Sequence, residues 1–215
     1  MEKHKLSIPP KIARLIEGGE NSTLDFKQTV SNVHKIAKTM CSFANTKGGV
    51  LLIGVRDNGS IAGIKSEDEI YMLDLAAQFY CKPALIIEID LWKIGNKEII
   101  ECKIPLGKEQ PYFAQSEDKK WWAYVRVNDK SLLASKVVLD VMKRNHPQKN
   151  TFIKYSSKEK ALLEYLKKNE RITLQEYRKM LNISKHRASK ILVNLISTGI
   201  IRNHTTEKTE FYTLV

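Results

Sequence analysis

Glu20, Asp25 and Asp57 are the residues of this chain whose type and spacing could do chemistry. Glu20 and Asp25 lie before a helix-length stretch, and Asp57 lies just past an apolar strand. Carboxylates that converge on one or two Mg2+ or Mn2+ ions can activate water and stabilise the leaving oxygen of a phosphodiester. Lys27 is a phosphate neighbour under that reading and an ion-pair partner for Asp25 under a plainer one. The plainer reading has its own support. Asn21-Ser22-Thr23 and Asp57-Asn58-Gly59 are turn and capping sequences whatever the chemistry. Asp25 stands ahead of the expected helix, where the macrodipole favours a negative charge.

A second set is cationic and lies near the C-terminus. A helix expected from Ser184 places Lys185, His186, Arg187, Ser189, Lys190 and Asn194 on its free face. Their charge is concentrated in the N-terminal turns, the part of a recognition helix that reaches base edges. Arg187 suits guanine and Asn194 suits adenine, while Arg202, His204 and Lys208 fall where a β-hairpin would touch phosphates. The same surface in a protein-contact domain would simply be solvated.

The elements that must position these groups can be read from period and punctuation. Apolar residues at 33, 36, 37, 40, 43 and 44 give a helix over 34–44. Asn45-Thr46-Lys47-Gly48-Gly49 stops it, and the glycines allow positive φ. A buried strand follows at 50–55, then a turn at 57–59. A helix is expected at 67–80, strands at 85–92 and 97–104 in a hairpin, another strand at 121–127, and a closing helix at 137–145. Strands and helices mixed with hairpins imply an α+β domain. Residues 146–150, His-Pro-Gln-Lys-Asn, read as a linker.

Beyond the linker the pattern changes to three amphipathic helices. They cover 158–168, a second run through Leu181 capped by Thr173 with Glu176 in a capping box, and a third from Ser184 to Thr198. The third buries Ala188, Ile191, Leu192, Leu195 and Ile196. Short strands at 200–202 and 210–214 complete a winged helix-turn-helix. The two domains are placed at 1–148 and 155–215.

The segments ENSTLDFK, FANTKGG and LLIGVRDNGSIAGI, in that order over residues 20–64, resemble the Schlafen-type AlbA-like domain. The resemblance implies a mixed-sheet Schlafen/AlbA-like domain beside a DNA-binding module, in a bacterial transcriptional regulator. It also implies an alternative: some Schlafen proteins are endoribonucleases acting on transfer RNA through three acids, which by position are Glu20, Asp25 and Asp57. Asp25 stands where the family pattern has Glu, and Arg56 stands where a further acid is often found. Mg2+ or Mn2+ is expected only under that alternative. ATP is not expected as a cofactor, because Lys47-Gly48-Gly49 has no P-loop around it. The backbone at Asn45, Lys47, Gly48 and Gly49 could still form a small anion nest, with Lys27 nearby.

Bulk properties agree with a nucleic-acid partner, duplex DNA first and RNA second. Net charge is +12, with 13 Lys and Arg against 6 Asp and Glu in residues 151–215. Excess cations favour polyanions through counterion release. Cys41, Cys81 and Cys102 form no C-x-x-C pair, which argues against a disulfide framework or structural zinc and for the cytoplasm. No apolar run reaches membrane-spanning length. The five histidines, at 4, 34, 146, 186 and 204, show no metal spacing. Alternation in 121–127 puts Trp122, Tyr124 and Arg126 on one face, a stripe that could stack on bases if exposed, although at least one tryptophan is expected in the core. A regulator reading a palindrome would be a two-fold homodimer.

Overall fold

Chain punctuation sets the first layers. Pro10 opens helix α1 (Pro10–Gly18) at a position where a missing N–H costs nothing, and Gly18-Gly19 ends it. Strand β1 (Leu24–Lys27) follows, then α2 (Val33–Ala44), whose first turn is capped by the Asn32 side chain accepting from the Lys35 N–H. Strand β2 (Gly49–Ile53) runs parallel to β1, with Leu24 opposite Val50 and Lys27 opposite Ile53. A parallel pair needs a crossover, and α2 supplies it.

The computed structural model describes residues 8–144 and 156–215, and these fall into two compact units, Met1–Leu133 and Ala134–Val215. In the first unit the chain continues through α3 (Asp68–Phe79), β3 (Cys81–Lys82), β4 (Glu88–Ile94), β5 (Lys97–Ile104), β6 (Phe113–Gln115), β7 (Trp121–Val127) and β8 (Lys130–Leu133). One four-stranded mixed sheet has the order β1-β2-β5-β4, and a second, antiparallel throughout, has the order β3-β6-β7-β8.

β2 is apolar on both sides because both faces of its sheet are covered. Leu51 and Ile53 pack with Ile36, Met40, Phe43 and Leu73 of α2 and α3. Leu52 packs the other way, with Ile12 of α1, Leu24, Phe26 and Ile99. α1 was not anticipated from the sequence, and neither was β1 as a strand.

The α2–β2 turn is tight. Gly48 has φ +73 and donates its N–H to the Phe43 carbonyl at 2.8 Å. A Cβ there would lie 2.8 Å from both the Ile104 carbonyl oxygen and the Leu106 nitrogen. Asn45 is buried beside this turn. Its side-chain amide donates to the carbonyls of Tyr112 and Tyr124 (2.8 and 2.9 Å), and its oxygen accepts the Tyr112 N–H at 2.7 Å.

The second unit holds α4 (Lys136–Arg144), α5 (Ser157–Lys168), α6 (Leu174–Leu181), α7 (Lys185–Ser197) and the antiparallel hairpin β9 (Ile201–Thr205) and β10 (Glu210–Leu214). Capping boxes begin α5 (Ser156 with Glu159) and α6 (Thr173 with Glu176), and the Ser184 hydroxyl accepts the Arg187 N–H at the start of α7. Asn182 supplies the left-handed residue that separates α6 from α7. Leu162, Leu166, Ile172, Tyr177, Ala188, Leu192, Leu195 and Tyr212 form the core, and Ile172 bridges to Tyr212 at the edge of the hairpin.

One boundary differs from the sequence reading. The closing helix expected at 137–145 within a first domain ending at 148 is α4, and it belongs to the second unit. Val137 is buried in that unit's core and Val141 packs against it. An amphipathic period tells that a helix has an apolar side, not which core receives it. The expected linker at 146–150 lies outside the described residues.

Candidate nucleic-acid interface

Two places in the molecule gather the residues singled out by sequence. In the first unit, alternation along β1 sends Leu24 and Phe26 toward α1 and leaves Asp25 and Lys27 for the opposite face of the sheet. Asp25 is 4% exposed and Arg126, from β7, is 5% exposed. The Arg126 guanidinium donates to Asp25 Oδ1 at 2.7 Å, to the carbonyls of Leu24 (3.3 Å) and Asn21 (3.2 Å), and packs 4.9 Å from the centre of the Phe43 ring. Lys27 Nζ reaches Asp25 Oδ2 at 2.5 Å, an ionic contact off hydrogen-bond alignment, and donates to the Phe26 carbonyl at 2.7 Å. Asp25 therefore ties a strand of one sheet to a strand of the other. It lies within β1 and not in the first turn of α2, which begins at Val33 with Asn32 as its cap.

Glu20 accepts the Phe26 N–H at 2.8 Å. Burial holds its pKa above the ordinary value, with the negative charges of Asp25 and Asp57 adding to the rise against the Phe26 N–H and Lys27, which lower it. The three acids are thus electrostatic neighbours. The oxygens of Asp25 face Arg126 and Lys27, and one oxygen of Glu20 accepts the Phe26 backbone amide, while Asp57 is exposed. Among the described residues no group of three His, Cys, Asp or Glu side chains could hold a metal ion. Both oxygens of Asp25 lie against cations in this arrangement, Oδ1 against Arg126 and Oδ2 against Lys27.

The anion nest expected at 45–49 is not formed by the backbone. The amides of Asn45, Thr46 and Gly48 donate to Cys41 and Phe43 carbonyls, closing the helix, and Gly49 pairs with Ile104 in the sheet. Asn45 is a buried brace, and Lys27 is spent on Asp25. Lys47, Gly48 and Gly49 instead border a groove of 420 Å3, shared with Arg14 of α1, Lys103 of β5, Asn21 and Thr23. Of its cations, Lys103 is paired with Asp90 at 2.7 Å.

Two expectations about β7 also change. Trp121 and Trp122 are both exposed, at 38% and 41%, so neither is a core residue. Arg126 turns inward to Asp25, so no exposed Trp–Tyr–Arg stripe exists. The signal for Arg126 was present as an arginine inside an apolar strand. Its partner, 101 positions away, was not.

In the second unit, α7 buries Ala188, Ile191, Leu192 and Leu195 and exposes Lys185, His186, Arg187 and Lys190. Arg202 and Lys208 are exposed on the hairpin. His204 is engaged, stacked on Phe211 at 4.9 Å and 3.0 Å from the Thr213 hydroxyl through Nε2. Two residues expected on the free face are not free. Ser189 is 5% exposed, and the side chain of Asn194 accepts from Arg144. Both changes follow from α4, which the sequence placed elsewhere. Lys136, Asp140, Lys143 and Arg144 of α4 and His186, Ser189, Lys190 and Val193 of α7 line one groove of 340 Å3.

With this geometry in view, the family model described as "Schlafen, AlbA_2" matches residues 20–135, more than half of the chain, and the chain belongs to that family. A PCI domain model matches residues 148–208. No curated protein matches. Among solved structures, the DIP2311 protein from Corynebacterium diphtheriae is 18% identical with a TM-score of 0.44, covering 57% of this chain and 24% of its own. The chain thus spans about a quarter of that protein's length. The N-terminal domain of a Nitrosomonas europaea protein described as related to the ATP-dependent DNA helicase RecG is 22% identical with a TM-score of 0.41, covering 54% of this chain and 88% of its own. No helix among the described residues is long and apolar enough to cross a membrane.

Proposed function

We propose that the chain is a transcriptional regulator that binds duplex DNA through its second unit, used as a winged helix-turn-helix. Membership in the Schlafen AlbA_2 family points to nucleic acid in general. The observation that carries the finer reading is the division of α7. Its core side is apolar through Ala188, Ile191, Leu192 and Leu195, while Lys185, His186, Arg187 and Lys190 crowd its exposed N-terminal turns. A helix so divided can enter a major groove with its base-reading end first. Arg202 and Lys208 on the hairpin then serve as phosphate contacts. In this reading the protein acts in the cytoplasm, as a two-fold dimer on a palindromic site.

The acid trio contributes architecture rather than metal chemistry under this proposal, since Asp25 is neutralised by Arg126 and Lys27. The test is selection of a preferred duplex from a random pool, followed by titration with the wild type and Arg187→Ala. Loss of a bidentate arginine–guanine contact costs about 1–3 kcal/mol, roughly 5- to 150-fold, and relaxes preference at one position. Equal binding by the two proteins would remove α7 as the reading element. Cleavage of transfer RNA by the wild type in Mn2+, abolished by EDTA and by Asp57→Asn, would install the RNase alternative in its place.

A further inference from the structure

Helix α4 lies along the edge of α7, and its contact covers Ser189 and Val193, which are 5% and 1% exposed. Ser135 caps it, accepting the Val138 N–H at 3.2 Å. Its inner side supplies Val137 and Val141 to the core of the second unit. The adjoining face, which borders the groove beside α7, carries Lys136, Asp140, Lys143 and Arg144, spaced at i, i+4, i+7 and i+8, the positions that share one helix face. Across the groove stand His186 and Lys190 of α7. Four basic side chains and a histidine thus meet one carboxylate, and Lys136, Lys143 and Lys190 make no ion pair among the described residues. Like charges gathered without counter-charges oppose the compact state unless a polyanion accompanies them.

Geometry narrows what that polyanion is. Packed helices have axes about 8–10 Å apart and are each about 10–12 Å across with side chains, so the pair is roughly 20 Å wide. A B-DNA major groove is about 12 Å wide and admits one helix. With α7 in the groove, a helix packed against its side at Ser189 and Val193 is excluded from the groove and is positioned to meet the phosphate ridge beside it.

We infer that α4 is a phosphate clamp: Lys136, Lys143 and Arg144 hold the DNA backbone flanking the groove that α7 enters. This rests on the duplex-DNA reading of the second unit and adds to it a contact surface from a helix outside the three-helix motif. Arg144 has a further part, because its hydrogen bond to Asn194 holds that side chain at the rim of the exposed strip.

The experiment is a salt titration of duplex binding by the full chain, comparing the wild type, Lys136→Ala/Lys143→Ala, Lys136→Arg/Lys143→Arg and Arg187→Ala. Each lost phosphate contact makes the slope of log K against log salt shallower by about 0.9. The alanine pair should lower the slope by about 1.8 and weaken binding about 30-fold at 0.15 M salt, with no change in the ratio between preferred and scrambled duplexes. The arginine pair should restore the slope, which a merely structural role would not predict. An unchanged slope for the alanine pair, with Arg187→Ala still weakening, overturns the clamp and leaves the winged helix standing. Tighter binding by the alanine pair would mean α4 holds DNA off, and also overturns it. No retention of duplex by the wild type removes the DNA reading and the clamp together.

Discussion

Asp25→Asn separates architecture from chemistry in the first unit. Asp25 and Arg126 are almost wholly buried, and the substitution would leave the guanidinium with carbonyl partners and no counter-charge. Removing one member of a buried pair costs about 3–5 kcal/mol. The asparagine oxygen can still accept from Arg126, so the lower end, about 3 kcal/mol, is expected. Lys27 is a third exposed and can turn to water, so its share is small, at most about 1 kcal/mol. All three tryptophans, at 92, 121 and 122, lie in the first unit, so urea unfolding followed by their fluorescence reports on that unit. With a slope near 2 kcal/mol per molar, the midpoint should fall by about 1.5 M. A cycle with Arg126→Met should return a coupling of about 1–3 kcal/mol. A midpoint within about 0.3 M of wild type would refute the pairing as a structural tie. So would a wild type stabilised by Mn2+ in a way that Asp25→Asn abolishes, because a ligand stabilises the state that binds it.

Two further outcomes follow from the same unit. Gly48→Ala should cost about 2 kcal/mol or more, since φ is +73 and the new methyl would meet backbone atoms at 2.8 Å; a urea midpoint equal to wild type would contradict the turn as described. Glu20 has its pKa raised above the ordinary 4.5 in the fold. Between the unfolded and folded values the native state then holds more protons, so wild-type stability falls as pH rises through that window. Glu20→Gln keeps an acceptor for the Phe26 N–H and removes the charge, so its melting temperature relative to wild type should rise between pH 4 and pH 7. A flat or falling difference would contradict the environment assigned to Glu20.

Much of this fold was legible because local and global signals agree in it. α2 and β2 follow from period and the double glycine. α6 follows from Thr173 and Glu176, and α7 from Ser184 and its apolar spacing. α1 left signals that were not used: a proline at its first position, a glycine pair at its end, and apolar Ile12, Leu15 and Ile16. β1 is harder, being four residues long with Asp and Lys in alternate places, and it is a strand only because β2 pairs with it. Asp25 could not be read correctly from its neighbours, since its charge is answered by Arg126 from another sheet. The same limit applies to α7. Helical spacing gave its core side, but Ser189 and Asn194 lost their freedom to a helix some fifty positions earlier. Long-range partners, not local propensity, decide which polar residues of a face remain available.

Under the proposed function the basic face of α7 binds duplex DNA and the acid trio performs no metal-dependent cleavage. The most direct measurement titrates wild type and Arg187→Ala against labelled duplex DNA and transfer RNA, in EDTA and in Mn2+, scoring retention and cleavage together. Intact duplex should be retained equally in both conditions, with a steep salt dependence and a loss on Arg187→Ala of at least about 5-fold. Metal-dependent cleavage of RNA, with duplex binding indifferent to Arg187, would contradict it.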